Sequence, residues 1–408
     1  MLQRRFIALA WLASAAGVTN IARAEPRILD RAAVVALASA QAPSVAVAER
    51  RVEEARAART GAGVLAPINP ELSVYVGPRW QQSGTTSADY YVGLAWPFDL
   101  SGAPSRRMRV ADEGARLAES EAEATRQTAI AEALVLWASA RAAEERVRLD
   151  DARLTIDRSV LRSAEIRRRA GTAGDGNLAL ARALEAQGAA RLVTSEHEAA
   201  AFEERLRARV GLRPTDRTRA GGSLITEEPK PLEALLRELA AQPAIVRALA
   251  QKRFAESDAA LQRRAGWPVP RIAASMGRDP DTYAHLGVDV PLPIYQRNQT
   301  NAAVAAARRE TAETEVRSAL VLGEAELRAA YTEYEGAREA FKTLDRTTAD
   351  IDDAEHLAVR SYELGQTSLS ELATTRREAA AARIARLDAS IALAKARIAL
   401  DLLTGSLR

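Results

Sequence analysis

Val92-Gly93-Leu94-Ala95-Trp96-Pro97 returns 194 residues later as Leu286-Gly287-Val288-Asp289-Val290-Pro291. In both stretches apolar residues alternate with small or polar ones, and each ends in Pro. Period-two alternation describes a strand with two unlike faces. Val92, Leu94, Trp96 and Phe98 form one face, and Tyr91, Gly93, Ala95 and Pro97 the other. In the second copy Leu286, Val288, Val290 and Leu292 alternate with His285, Gly287, Asp289 and Pro291. An alternating partner precedes each: Leu72, Val74, Val76, Pro78 and Trp80 in the first copy, and Ile272, Ala274 and Met276 in the second.

Outward from these stretches the duplication continues. The same shift carries Gly171 to Gly365 and Gly211-Leu212 to Gly405-Ser406. Upstream the shift is 200, carrying Pro43 to Pro243 and Pro70 to Pro270, so the first copy has a longer loop between its strands. Landmarks in one order with one insertion mark an internal repeat. Pro214, Gly221-Gly222, Pro229 and Pro231 interrupt helical periodicity between the copies, and the expected units are 25–219 and 220–408. Each reads helix, strand, strand, very long helix, Gly break, helix. The expected helices are 31–62, 103–168 and 177–210, then 232–264, 298–362 and 369–404. A helix of some 65 residues is roughly 100 Å long. It cannot hide in one compact core and must lie along others in an extended bundle.

Composition agrees. Aromatics are 4% of the 408 residues, and Lys+Arg (57) nearly balance Asp+Glu (54). Arg4, Arg5 and Arg23 account for the whole surplus. They lie in residues 1–24, which read as a secretory signal peptide: a positive start, the apolar run Phe6–Val18, and the cleavage signal Ala22-Arg23-Ala24. The mature chain is then neutral, which argues against nucleic-acid binding. With no Cys there is no disulfide, thiolate metal site or lipid-bearing Cys. After residue 24 no apolar run of membrane-spanning length is read. H-E-x-x-H, G-x-S-x-G, Walker A and G-x-G-x-x-G are all absent, so no enzyme and no cofactor are expected.

The strands are about nine residues long, with Trp80, Tyr90, Trp96 and Trp267 near their ends. That pattern fits a membrane β-barrel with aromatic girdles; a small soluble β-domain capping a helical stalk is the alternative. Four strands cannot close a barrel, and unpaired edges are not tolerated in lipid. Closure requires several chains, and three would supply 12 strands.

The motifs Ala42-Pro43-Ser44-Val45, Asn69-Pro70-Glu71-Leu72, Leu94-Ala95-Trp96-Pro97-Phe98 and Tyr362-Glu363-Leu364-Gly365-Gln366-Thr367-Ser368-Leu369-Ser370-Glu371-Leu372 stand in order along the mature chain. In this the chain resembles the TolC-like outer membrane efflux proteins. The resemblance implies a mainly α chain with a small β part. As a homotrimer it would form a 12-stranded outer-membrane β-barrel continued by a long periplasmic α-helical barrel. The implied partners are a periplasmic adaptor and an inner-membrane pump of the resistance-nodulation-division type, besides outer-membrane lipid. Two-repeat chains of this kind look most like the outer-membrane components of cobalt-zinc-cadmium resistance systems.

By the same resemblance, Ala170, Gly171, Thr172, Leu364, Gly365, Gln366 and Ser368 would form the tips that touch the adaptor. Ala170 is small where the family prefers a branched residue, and Thr172 and Gln366 are polar. A phosphate-cradling reading of the Gly-rich first tip lacks the required Lys. Glu371, with its repeat mate Asn177, falls where the family has a periplasmic aperture; as a residue, Glu371 reads equally as a helix-start acid favoured by the dipole. In the partner positions Thr367 and Thr374 replace Arg and Asp. Asp289 and His285 would line the barrel lumen, where a ring of Asp289 biases toward cations or simply wets the wall; a His–Asp metal site would need further ligands. Pro97, Pro291 and Pro293 sit where strand must become helix.

The expected function is a passive exit duct for substrates, with heavy-metal cations the expected cargo. The rivals are a type I secretion duct, which shares this architecture, and a periplasmic coiled-coil adaptor that never enters a membrane.

Overall fold

A computed structural model describes residues 27–66, 68–80, 84, 86–171, 174–278 and 281–407. The signal segment 1–24 and Thr172 lie outside the described residues. In chain order the elements are β1 (Arg27–Leu29), α1 (Arg31–Gln41), α2 (Pro43–Ala57), β2 (Glu71–Trp80), β3 (Thr86–Pro97), α3 (Ala103–Arg169), α4 (Asp175–Arg209) and β4 (Thr218–Ala220). The second half holds α5 (Leu232–Arg237), a 3-10 turn (Leu239–Ala241), α6 (Pro243–Arg264), β5 (Arg271–Arg278), β6 (Thr282–Asp289), α7 (Gln299–Arg346), α8 (Thr348–Glu363) and α9 (Leu369–Thr404).

The 67-residue α3 is roughly 100 Å long, as its periodicity predicts. Three expected helices are broken. In 31–62 the break is at Pro43, which takes the first turn of α2 and forces Ala42 into extended backbone (ψ 132). Pro243 does the same to 232–264 through Gln242 (ψ 136). These breaks also bear on membrane insertion. Within Arg31–Ala57 an 18-residue window is apolar enough, by length and composition, to span a bilayer, contrary to expectation. The stretch is two helices, however, and Val34, Leu37, Ala38, Val45, Ala48 and Val52 are buried. In 298–362 the break is at Thr347. The hydroxyls of Thr347 and Thr348 both donate to the Leu344 carbonyl, at 3.0 and 3.3 Å, and so compete with the helix ladder.

One core lies at mid-length. Trp137 of α3 is 1% exposed, surrounded by Leu29, Val34, Leu134, Leu206 and Ile398. Its indole N–H donates to the carbonyls of Leu29 (2.9 Å) and Gly221 (3.1 Å). Those carbonyls flank a short parallel pair, β1 with β4, which the sequence reading lacks. The pair fastens the N-terminal segment and the link between repeats onto the long helices. A second core near the far end joins α3, α4, α8 and α9 through Val160, Ala164, Ala181, Tyr362, Leu369 and Leu372.

The four long strands form one antiparallel sheet in the order β2-β3-β5-β6. Each repeat supplies a hairpin, and the hairpins join where Trp96 pairs with Ile272 and Val92 with Met276.

Candidate functional site: an open-edged sheet and two paired helix tips

Register sorts the sheet's side chains into two faces. Leu72, Leu94, Ala274 and Leu286 lie in one row across the four strands, and Val74, Val92, Met276 and Ala284 in the next. With Trp96, Ile272 and Val288 they make an apolar face that the chain leaves uncovered; Val76, Trp80 and Leu286 are each at least 75% exposed. The opposite face carries Glu71, Ser73, Arg79, Asp89, Arg271, Ser275, His285 and Asp289. β2 and β6 have no outer strand partner among the described residues. An exposed apolar face, a polar reverse and two unpaired edges suit a barrel sector with lipid outside and water inside.

Pro97 closes β3, and Pro291 and Pro293 lie between β6 and α7, so all three stand at the passage from sheet to helix. Gly266 approaches the Arg297 backbone so closely that an added Cβ would lie 2.3 Å from its carbonyl oxygen. Asn298, in left-handed backbone (φ 59), donates to the Gln262 carbonyl at 2.8 Å. These contacts fix the chain's exit from the sheet.

At the opposite end the two tips lie together. Ala170 ends α3 and Gly171 turns the chain at φ 73. Leu364 ends α8 and Gly365 turns at φ 75, with the Gly365 and Gln366 amides donating to Tyr362 and Ser361. The Arg167 guanidinium stacks on the Tyr362 ring at 4.4 Å and donates to the carbonyls of Tyr362 and Glu363, fastening one tip to the other. Ser368 caps α9 in a reciprocal box. Its hydroxyl accepts from the Glu371 amide (3.2 Å), and the Glu371 carboxylate accepts from the Ser368 amide (2.9 Å). Glu371 is therefore engaged at the helix start, and exposed. Asn177 is the third residue of α4, likewise exposed, behind a Gly174 cap without a side-chain bond.

Two turns inward from the tip lies a bridge that sequence reading missed. Arg376 of α9 is buried between Asp157 of α3 (2.6 Å) and Glu355 of α8 (3.3 Å), and it also donates to the Arg153 carbonyl (3.2 Å). Arg383 binds Asp352 at 2.6 Å and also Glu355. The bridge borders a cavity of about 450 Å³ between α3, α8 and α9. A signal did exist. Arg376 interrupts the apolar stripe Leu369, Leu372, Ala379, and Asp157 interrupts Leu154, Val160, Ala164.

The outer membrane efflux protein family model matches this chain twice, over residues 34–212 and 235–406. The chain belongs to the outer membrane efflux protein family. This efflux protein is 25% identical over 324 residues to the cobalt-zinc-cadmium resistance protein CzcC of Cupriavidus metallidurans, covering 78% of this chain and 76% of that one. Its fold matches that of CusC (TM-score 0.77, 16% identity, 92% of this chain and 91% of that one). It also matches the CmeC outer membrane channel of Campylobacter jejuni (TM-score 0.78, 17% identity, 92% and 85%). The efflux protein is an outer-membrane channel with a periplasmic helical extension, a passive duct and not an enzyme. It works with a periplasmic adaptor and an inner-membrane pump in a tripartite system.

Proposed function

We propose that three copies of this efflux protein close edge to edge, β6 of one beside β2 of the next, into a 12-stranded barrel continued by a helical tunnel. The single observation carrying this is the four-stranded sheet: apolar on one face, polar on the other, with both outer edges unpaired. In lipid such edges are tolerated only if another strand covers them. The two repeats, 25–219 and 220–408, then contribute one hairpin each to every third of the barrel.

The cargo we propose is heavy-metal cations, delivered by a resistance-nodulation-division pump; the likeness to CzcC supports this. Ala170, Gly171, Thr172, Leu364, Gly365, Gln366 and Ser368 would meet the adaptor. Asn177 and Glu371 would ring the periplasmic mouth, and His285 and Asp289 would face the barrel lumen. Docking opens the mouth by binding the open arrangement more tightly than the closed one.

Membranes from cells expressing the full chain, separated on a density gradient, test the assembly. The expected result is outer-membrane recovery as a trimer, with sensitivity to cobalt, zinc and cadmium rising when the gene is deleted. Outer-membrane recovery with unchanged metal tolerance would reject the cargo, and a soluble periplasmic monomer would reject the duct.

A further inference from the structure

The polar face of the sheet carries five charged side chains: Glu71, Arg79, Asp89, Arg271 and Asp289. Arg79 and Asp89 pair at 3.1 Å toward the far end and cancel. The other three lie together at the helix-side end. Arg271 stands opposite Asp289 in register, yet its guanidinium reaches across to Glu71, at 3.7 Å. Asp289 forms no ion pair among the described residues. This end of the sheet thus holds two carboxylates and one guanidinium, a surplus of one negative charge per chain.

We propose that this row sets the ionic preference of the duct at the passage from barrel to tunnel, with Asp289 drawing cations and Arg271 restraining that pull. The proposal rests on the trimeric barrel. Closure puts β6 beside β2 of the next copy, so Asp289 and that copy's Glu71 flank each seam at the helix-side end of the sheet. The row then repeats three times around the lumen with a net charge of three negatives. In a barrel of 12 strands at ~4.8 Å spacing, inward side chains end roughly 8 Å from the axis. That lies within the Debye length of about 10 Å at 0.1 M salt, and well outside the length of about 3 Å at 1 M. Three charges at that distance shift the local cation concentration about threefold in dilute salt. The row is therefore felt across the lumen in dilute salt and hidden in concentrated salt.

The test is the reversal potential of the full-length protein in planar bilayers under a KCl gradient, near 0.1 M and again near 1 M. Relative to wild type, Asp289→Asn is expected to lower the cation-to-anion permeability ratio about tenfold, because the potential that enriches cations threefold depletes anions by the same factor, and Arg271→Gln to raise it about as much. Both shifts should collapse at 1 M. Since the chain has no Cys, Asp289→Cys offers one thiol for a second measurement. A positively charged methanethiosulfonate reagent should push the ratio toward anions, and a negatively charged one should restore the wild-type value. Wild-type ratios in both charge variants, in channels of normal size, would overturn the proposal while leaving the duct intact. Shifts that persist at 1 M would overturn it too, pointing to altered pore shape. Wild-type protein that forms no channel would overturn the barrel, and this proposal with it.

Discussion

Arg376 and Asp157, 219 residues apart, meet at 2.6 Å with side chains only 6% and 3% exposed. The contact joins the α3–α4 hairpin of one repeat to the α8–α9 hairpin of the other. It holds a charge inside a helical bundle, where its worth depends on every partner being present.

Removing one member leaves the other buried and unpaired. Arg376→Ala should cost roughly 3–5 kcal/mol, read as a lower thermal midpoint in detergent. Replacing Arg376 by Met together with Asp157→Leu and Glu355→Leu should recover most of that loss, since well-packed apolar groups often match a buried ion network. A single variant as stable as wild type would mean that water reaches the site.

Glu203 of α4 titrates high, at about 7 against 4.5 normally, first because burial disfavours its charge and then because it hydrogen-bonds and repels Glu144 of α3; Arg207 and Arg219 oppose the shift. A carboxyl with a raised folded pKa binds its proton more tightly folded than unfolded. Its contribution is therefore most favourable below about pH 4.5 and falls as pH rises toward 7. Glu203→Gln should flatten this part of the stability–pH curve and be relatively stabilising at pH 7.5. Denaturant titrations at several pH values between 5 and 7.5 measure the slope, and equal slopes in the two proteins would refute the assignment.

Gly365 turns the second tip at φ 75, a region that costs a β-branched residue roughly 1–2 kcal/mol. Nothing stands within 4 Å of where its Cβ would lie, so the strain is in the backbone alone. Gly365→Val should leave outer-membrane yield unchanged and sharply reduce crosslinking to the adaptor. Normal crosslinking would remove this tip from the docking surface.

Glu371 can act as a cap, as a mouth charge, or as both. Glu371→Gln keeps an acceptor for the Ser368 amide and removes the charge; Glu371→Ala removes both, with a cap loss of about 1 kcal/mol. If the mouth senses the charge, conductance or cation preference changes equally in the two variants. If only the cap matters, the Gln variant conducts as wild type and the Ala variant alone is less stable.

Much of this was legible beforehand because it is written locally. The alternation at Leu72–Trp80 follows from side chains pointing to opposite faces of a strand, and the structure returns the expected faces there; in the second copy it does so only as far as Asp289, where β6 ends before Val290 and Leu292. The 103–168 helix is one unbroken element, and its one Pro, Pro104, stands in the first turn, where a helix tolerates it. The helix 298–362 failed because two adjacent Thr hydroxyls drew on one carbonyl, a competition that residue type alone does not announce. Pro43 and Pro243 mark the repeat in the sequence, and each also drives the residue before it out of helical backbone, which ends the preceding helix.

The sequence by itself determined the duplication, the two-faced strands, the length of α3 and the family. Each depends on spacings of two to four residues or on direct comparison of the two copies. Only the tertiary structure decided which distant groups meet: β1 with β4, β3 with β5, Arg167 with Tyr362, Arg376 with Asp157, Arg271 with Glu71. Local periodicity says which face of an element is apolar or charged. Which partner that face receives, across 100 or 200 residues, depends on how whole helices and hairpins pack, because burial and charge pairing become favourable only once the packed elements exclude water.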